Sequence, residues 1–258
     1  MDSPLKDQVA IVTGGARGIG RGIALALAQA GADVLVADLL EDPLAATAED
    51  VRALGRRAAI CKVDVTQAVQ LEGMVRQAIS ELGGLDILVN CAGVISIQSV
   101  SELTERDWDF VMDVNAKGTF LSCKAALPHL LAQQRGRIIN VASIAGKEGF
   151  PNLSHYSASK FAVVGFTNAL AKEVARAGIT VNAICPGIVR TYMWDRLSDE
   201  WKNAGESVEE SWQRHQLTLI PQGRAQTPED MGRLAVFFAT MDNVTGQSVN
   251  VDGGFTFH

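Results

Sequence analysis

The sequence predicts an α/β fold in which seven parallel strands form one doubly wound sheet with helices on both faces. Short apolar runs alternate with longer helix-like segments along the chain, the pattern that parallel sheets with helical crossovers produce. Most of these runs lack polar alternation, which indicates strands that are covered on both faces. The 258 residues contain no internal repeat, low-complexity tract or flexible linker, so we expect residues 1–258 to form a single domain.

The predicted strands are the apolar, β-rich runs at 8–13, 33–38, 58–63, 86–90, 137–142, 180–185 and 247–251. The predicted helices lie between them, at 18–30, 43–54, 67–82, 106–134, 156–177 and 228–241. The polar segment 191–226 carries three tryptophans and no strand signal, so it is predicted to be irregular. Long segments of this kind are usually functional, and we expect a lid over the substrate, with a surface or subunit-packing insertion as the alternative.

Charge and composition exclude several classes of function. The chain has 29 acidic and 23 basic residues and a net charge of −6, so it has no overall positive field for nucleic acid or an anionic membrane. Neither a signal peptide nor a membrane helix is predicted, because charged and polar residues interrupt the apolar windows. Four separated cysteines predict free thiols and no metal site. We therefore expect a cytoplasmic protein.

A glycine-rich turn with Gly14, Gly18 and Gly20 joins the first predicted strand to the first predicted helix. A helix N-terminus offers free N–H groups and partial positive charge, and glycines let a pyrophosphate approach them. Asp38 ends the second strand, near the ~20-residue offset of a carboxylate that binds the ribose 2′-OH. A Rossmann-like cofactor half over about 1–142 is thus predicted. Asp38 favours NAD over NADP because it would repel a 2′-phosphate, although Arg17 argues weakly for NADP.

A possible acid/base pair follows in the second half of the chain, about 143–258. Tyr156 and Lys160 lie four residues apart at the start of a predicted helix, so their side chains share one face. An adjacent ammonium, joined by the positive nicotinamide ring of the cofactor, favours the phenolate, which makes Tyr156 a credible acid/base. Ser143 follows the fifth strand, where ligands bind, and it lacks the nucleophile elbow of a hydrolase. His155, beside Tyr156, is expected to be structural or at the rim of the site.

Together with Asn90-Cys91-Ala92-Gly93 and Pro186-Gly187, these motifs resemble the classical short-chain dehydrogenase/reductase family over essentially the whole chain. The resemblance implies that Asn115 is a fourth catalytic residue beside Ser143, Tyr156 and Lys160. Its amide or a locally opened carbonyl would hold a water that lets Lys160 exchange protons with solvent; a buried packing residue is the alternative. The implied cofactor-binding residues are Gly14, Arg17, Gly18, Ile19, Gly20, Asp38, Asp64, Val65, Asn90, Ala92, Gly93, Tyr156, Lys160, Pro186, Gly187, Val189 and Thr191. For Asp64, a simple helix cap would look the same.

Within the family, the Met193-Trp194 pair and the polar segment after it are similar to acetoin/2,3-butanediol and polyol dehydrogenases. This implies NAD-dependent hydride transfer with a small secondary alcohol, diol or polyol, or with the matching ketone. A 3-oxoacyl-thioester reductase and a noncatalytic nucleotide-sensing protein are the alternatives. The residues expected to shape the substrate pocket are Ile95, Ser96, Glu148, Phe150, Asn152, Met193 and Trp194.

The resemblance also implies a homotetramer, because members of the family commonly assemble through two long helices. In this chain the corresponding predicted helices are 106–134 and 156–177. The apolar tail, residues 255–258, is expected to be buried against a neighbouring subunit, since an exposed apolar patch is otherwise a liability.

Overall fold

Seven strands form one sheet in the computed structural model, which describes residues 3–257. They are β1 (Val9–Thr13), β2 (Asp33–Asp38), β3 (Ala58–Lys62), β4 (Ile87–Asn90), β5 (Gly136–Val141), β6 (Ile179–Pro186) and β7 (Ser248–Val251). Their order across the sheet is β3-β2-β1-β4-β5-β6-β7, and every pair is parallel. The predicted doubly wound sheet is confirmed, and each predicted strand end lies within one residue of the observed one.

The longer helices are α1 (Gly18–Gln29), α2 (Glu41–Ala53), α3 (Ala68–Leu82), α4 (Glu105–Met112), α5 (Gly118–Gln133), α6 (Ser154–Val174), α7 (Tyr192–Glu200), α8 (Val208–Leu219) and α9 (Pro228–Thr240). Buried side chains of α1, α2 and α9 pack on one face of the sheet. Those of α3, α5 and α6 pack on the other face. This double cover explains why the central strands carry apolar residues at consecutive positions. No helix within residues 3–257 has the length and apolar character to cross a membrane.

The prediction of one continuous helix over 106–134 was wrong. The chain forms α4, then a π-helical turn at Asp113–Lys117, and then α5. Gly118 follows the turn, where a Cβ would lie 2.9 Å from the Val65 side chain. The turn contains Asn115, whose side chain is hydrogen-bonded to two other segments of the chain. An apolar pattern does not distinguish a π turn from an α-helix, and π turns inside helices are frequent at functional sites.

The prediction of an irregular segment at 191–226 was also wrong, because the segment contains α7 and α8. Ser207 accepts a hydrogen bond from the backbone of Glu210, whose side chain accepts one from the backbone of Ser207, so α8 begins with a capping box. This signal is visible in the sequence. Leu197 on α7 and Trp212 on α8 are buried, and Trp212 packs in one cluster with Ile188, which follows β6. We call residues 191–226 the lid.

Candidate active site

A cavity of about 600 Å³ lies at the carboxyl ends of the strands. Residues that follow β1, β2, β3, β4, β5 and β6 all contribute to its lining, and α6, α7 and the C-terminal tail add to it. In doubly wound parallel sheets this edge is where ligands bind. The fold therefore brings most of the predicted site residues to one place.

The glycine turn after β1 forms one end of the cavity lining. Gly14 has φ 66°, and a Cβ there would lie 2.7 Å from the backbone of Ala92, so the position requires glycine. Arg17 is the N-cap of α1 and makes no side-chain capping bond, which leaves backbone N–H groups of the first turn without that partner. A helix N-terminus of this kind suits a phosphate-bearing ligand.

Asp38 lies beside the glycine turn and lines the same cavity. Its carboxylate accepts a hydrogen bond of 3.2 Å from the backbone N–H of Ala16 and one of 2.7 Å from that of Leu39. These bonds fix the carboxylate against the turn, and a carboxylate oxygen has further acceptor capacity for a hydroxyl. The turn and this acid together fit the pyrophosphate and ribose of a dinucleotide.

All but one of the predicted cofactor-binding residues line the cavity. Those that do are Gly14, Arg17, Gly18, Ile19, Gly20, Asp38, Asp64, Val65, Ala92, Gly93, Tyr156, Lys160, Pro186, Gly187, Val189 and Thr191. The exception is Asn90, which lies outside the lining, is buried, and donates a 2.9 Å hydrogen bond to Asn140. Its side chain therefore links β4 to β5 beneath the turn, a role that the sequence motif does not distinguish from ligand contact.

Ser143, Tyr156 and Lys160 line the cavity together. Ser143 follows β5, and its Oγ accepts a 3.1 Å hydrogen bond from the backbone of Ala145. Tyr156 and Lys160 lie in the first two turns of α6. The Lys160 Nζ is 5.7 Å from the centre of the Tyr156 ring and donates a 3.0 Å hydrogen bond to the carbonyl of Val141.

Burial disfavours the charged forms of Tyr156 and Lys160 and shifts their pKa values accordingly. It raises the pKa of Tyr156 to about 12, against a smaller lowering effect of a hydrogen bond with Ser143. It lowers the pKa of Lys160 to about 8. The protein's own groups thus favour the neutral phenol of Tyr156, whereas the predicted phenolate also depends on the positive charge of a bound nicotinamide ring. A neutral phenol is a proton donor, the form that ketone reduction requires.

Asn115 is buried in the π turn, and both the nitrogen and the oxygen of its side-chain amide are hydrogen-bonded. Its Nδ2 donates to the Val94 carbonyl at 2.9 Å and to the Ser159 Oγ at 3.0 Å, and its Oδ1 accepts from the Val94 N–H at 2.8 Å. Ser159 in turn donates a 2.7 Å hydrogen bond to the carbonyl of Tyr156. Asn115 therefore connects the loop after β4 to α6 through Ser159. Ser159 acts as a positioning residue, and the sequence interpretation missed this role although Ser159 lies within the Tyr156 to Lys160 motif.

Gly93 lies between Asn115 and Lys160. A Cβ at this position would be 3.3 Å from the Asn115 Oδ1 and 3.5 Å from the Lys160 Nζ. The absence of a side chain at Gly93 therefore leaves room beside both polar groups.

Four of the seven predicted substrate residues line the cavity: Ile95, Phe150, Met193 and Trp194. Ser96, Glu148 and Asn152 lie outside the lining. The Ser96 hydroxyl shares a 2.7 Å hydrogen bond with Nε2 of His155, which is fully buried, as its expected structural role requires. Asn152 has φ 61°, and its carbonyl accepts a bond from Gln98, so it shapes a turn. Their positions relative to the catalytic strands did not predict where these loop side chains point.

Several lining residues were not predicted, and most of them are apolar: Val94, Phe110, Leu153, Leu197, Trp201, Leu219 and Phe255, with the exposed cation Arg196. Met193, Leu197 and Trp201 recur at the four-residue spacing of a helix, a signal that could have identified Trp201. The ring centre of Phe255 is 5.8 Å from that of Phe150, and Phe255 is partly exposed. Phe257 is 84% exposed, and His258 lies outside the described residues.

Comparisons with known proteins all match this chain to dehydrogenases and reductases. A sequence model described as short chain dehydrogenase matches residues 8–202. The (S)-acetoin-forming diacetyl reductase of Staphylococcus epidermidis is 38% identical over 97% of this chain and 99% of its own length. The L-2,3-butanediol dehydrogenase of Corynebacterium glutamicum is 42% identical, with the same two coverages. The 3-oxoacyl-acyl-carrier-protein reductase FabG of Staphylococcus aureus is 37% identical over 95% of this chain and 96% of its own length.

Solved structures agree with these sequence relatives. NAD⁺-bound xylitol dehydrogenase has a TM-score of 0.91 at 28% identity and covers 97% of this chain and 99% of its own. A variant of actinorhodin polyketide ketoreductase with NADPH has a TM-score of 0.92 at 36% identity and covers 99% of both chains. Both nicotinamide cofactors thus occur among structures similar to this chain.

Proposed function

The chain belongs to the short-chain dehydrogenase family, and from that membership we propose that it transfers a hydride reversibly between NAD and a small secondary alcohol, diol or polyol, or the matching ketone. The family assignment makes the protein an oxidoreductase that acts on CH–OH groups and uses a nicotinamide cofactor. The choice of NAD and of the substrate class belongs to the proposal.

The observation that carries the proposal is the arrangement of one cavity. The glycine turn and Asp38 form one part of its lining, and Ser143, Tyr156 and Lys160 form another. A protein that used the fold only to sense a nucleotide would have no need for a buried phenol, ammonium and hydroxyl along the same cavity. The noncatalytic alternative is therefore disfavoured.

A bound nicotinamide would supply the hydride donor or acceptor. The Ser143 hydroxyl donates a hydrogen bond to the substrate oxygen and holds it beside Tyr156. The Tyr156 phenol gives its proton to that oxygen during reduction, and in the oxidation direction the Tyr156 phenolate accepts the proton of the alcohol. Lys160 lies beside the phenol and returns the proton from solvent through the space next to Gly93 and Asn115. General acid/base catalysis of this kind contributes about 10²- to 10⁴-fold to the rate.

Asp38 supports the choice of NAD, because its carboxylate at the ribose end of the site would repel a 2′-phosphate. Arg17, which could accept that phosphate, has its guanidinium 4.3 Å from the centre of the Tyr192 ring. Leu39, the residue after Asp38, also lines the cavity and adds no positive charge.

The names of the acetoin and butanediol relatives support a small hydroxyketone or diol as the substrate. The FabG relative supports a second candidate, reduction of a 3-oxoacyl thioester. NADPH use and a basic surface for an acidic carrier are expected of such an enzyme, and Asp38 and the net charge of −6 weigh against both.

An absorbance assay at 340 nm, with NAD and NADP against diols, polyols, hydroxy acids and aryl alcohols, tests the proposal. We expect turnover with NAD and at least one secondary alcohol. Reduction of a 3-oxoacyl thioester by NADPH at a higher kcat/KM than any simple ketone would replace the proposal with the second candidate.

We further propose a homotetramer in the cytoplasm. Phe120 on α5 and Phe161 on α6 are 43% and 46% exposed, and apolar surface on two neighbouring long helices suits burial by another subunit. All four cysteines are free thiols, which suits a reducing compartment. Light scattering coupled to gel filtration tests the assembly: a mass of four chains is expected, and a monomer would contradict it.

A further inference from the structure

Four aromatic side chains line one part of the cavity: Phe150, Trp194, Trp201 and Phe255. We call them the aromatic wall. The ring centres of Trp194 and Trp201 are 6.0 Å apart, and those of Phe150 and Phe255 are 5.8 Å apart. All four rings are partly exposed although they belong to the cavity lining. Part of their apolar surface is therefore available to a ligand.

The aromatic wall is continuous with the reactive phenol. Phe150 and Trp201 pack against the buried cluster that contains Leu153 and Tyr156. A group attached to the carbon that reacts beside Tyr156 therefore has this wall within reach.

The charged and hydroxyl-bearing side chains of the lining, among the residues that the structure describes, are not part of the aromatic wall. They are Arg17, Asp38, Asp64, Ser143, Tyr156, Lys160, Thr191, Tyr192 and Arg196. Three of these are the reactive residues, and Arg17, Asp38, Asp64 and Thr191 belong to the proposed cofactor site. The Tyr192 ring is in contact with Arg17, and Arg196 is exposed on α7. The wall thus adds neither a charged group nor a side-chain hydroxyl for a polyhydroxylated chain.

We propose that the aromatic wall selects substrates that carry an apolar group, of phenyl or branched-alkyl size, next to the reacting carbinol or ketone carbon. This inference rests on the proposed hydride transfer and narrows its substrate class. Burying apolar surface is favourable in proportion to its area. A polyol would instead bring several hydroxyls against rings whose only polar groups are the indole N–H donors of Trp194 and Trp201, and most of its hydrogen bonds to water would be lost without replacement. Polyols are therefore excluded from the class.

A matched pair of substrates tests the proposal. 1-Phenylpropane-1,2-diol and butane-2,3-diol share the vicinal hydroxyls and differ in one apolar substituent, and sorbitol represents the polyols. With NAD, we expect kcat/KM for the phenyl diol to exceed that for butanediol by about tenfold or more. Butanediol or sorbitol performing as well as the phenyl diol would overturn the proposal.

Two variants examine the wall itself. Phe255→Ala and Trp201→Ala should each lower the ratio of kcat/KM for the phenyl diol to that for butanediol by about fivefold or more, because each removes apolar contact area. The control is Phe257→Ala, which changes a phenylalanine of the same tail that is 84% exposed. The ratio does not depend on the fraction of folded enzyme. An unchanged ratio in both wall variants would contradict the proposal.

A binding measurement separates this proposal from the proposed function. Saturation-transfer NMR with 1-phenylethanol and with sorbitol needs no turnover. We expect transfer to the phenyl ring, weakened by Phe255→Ala, and none to sorbitol. Absence of turnover with every alcohol and ketone, together with this binding, would count against the proposed function only. Equal transfer to sorbitol would count against the wall.

Discussion

The guanidinium of Arg17 lies 4.3 Å from the centre of the Tyr192 ring. Arg17 is the N-cap of α1 in the glycine turn, and Tyr192 is the first residue of α7 in the lid. Next to this contact, a Cβ on Gly18 would lie 3.1 Å from the Thr191 side chain, so the glycine turn and the start of the lid are also close here. The proposed cofactor loop and the proposed substrate lid are therefore joined directly.

Tyr192→Leu removes the ring that contacts Arg17 and should loosen the lid. A cation–π contact at an exposed site contributes about 0.5–1 kcal/mol, which corresponds to about a two- to fivefold change. We expect KM for NAD to rise by that factor and proteolysis of residues 191–226 to accelerate. Tyr192→Phe keeps the ring and should behave as the wild type. Equal effects of the two substitutions would exclude the ring contact as the cause.

Asp38→Asn removes the proposed barrier to a 2′-phosphate while keeping a side chain of the same size. We expect the ratio of kcat/KM with NAD to that with NADP to fall by about tenfold or more, since hydrogen bonds to charged groups contribute about 1.5–3 kcal/mol. Asp42→Asn makes the same charge change at an exposed position of α2 and should leave the ratio unchanged. A wild-type enzyme that prefers NADP would show that the assignment of Asp38 is wrong.

Gly93→Ala should obstruct proton exchange at Lys160. The added methyl would lie 3.3 Å from the Asn115 Oδ1 and 3.5 Å from the Lys160 Nζ, in the space proposed for the proton route. We expect kcat to fall by about tenfold or more, with an altered solvent isotope effect. Gly84→Ala is the control, because a Cβ there meets nothing within 4 Å. Unchanged kcat and isotope effect in Gly93→Ala would rule out this route.

Lys160→Met should stabilise the fold at neutral pH while removing activity. Burial lowers the pKa of Lys160 from 10.5 to about 8, so the unfolded chain binds more protons between those pH values. Lys160 therefore destabilises the fold at pH 7, by an amount on the order of 3 kcal/mol. This destabilisation decreases as the pH rises from about 8 to 10.5.

Urea unfolding of the wild type and of Lys160→Met at pH 7 and pH 10 checks the sign of this contribution to stability. We expect the variant's advantage in the free energy of unfolding at pH 7 to shrink at pH 10. The raised pKa of Tyr156, about 12, acts in the opposite direction only above pH 10, its ordinary value. Lys172→Met, at an exposed position of α6, should show no such trend. A wild-type protein that is more stable than Lys160→Met at pH 7 would contradict the account.

The fold could be predicted closely because its signals are local. The strands are nearly continuous apolar runs, and the glycine turn and capping residues mark where elements begin. The π turn at Asn115 could not be predicted, because it accompanies hydrogen bonds to Val94 and Ser159, which are distant in sequence. The helices of the lid were missed because their polar composition outweighed the capping box at Ser207.

In the candidate site too, the residues with local sequence signals could be predicted and those that depend on distant contacts could not. Residues in motifs at strand ends, such as Gly14 and Ser143, reach the cavity because the parallel sheet itself carries them there. Ser96 and Asn152 lie on loops whose paths depend on partners such as His155 and Gln98, and these side chains lie outside the lining. Phe255 reaches the cavity from the C-terminal tail, a contact without any local sequence signal.

The central claim is that Tyr156 transfers the proton that accompanies hydride transfer. The most direct test compares the wild type with Tyr156→Phe, which removes the hydroxyl and keeps the ring in its buried position. Turnover is followed at 340 nm, and NAD binding is followed by calorimetry. The account predicts a loss of kcat of about 10²- to 10⁴-fold with NAD affinity largely unchanged. A Tyr156→Phe enzyme that retains wild-type turnover would contradict it.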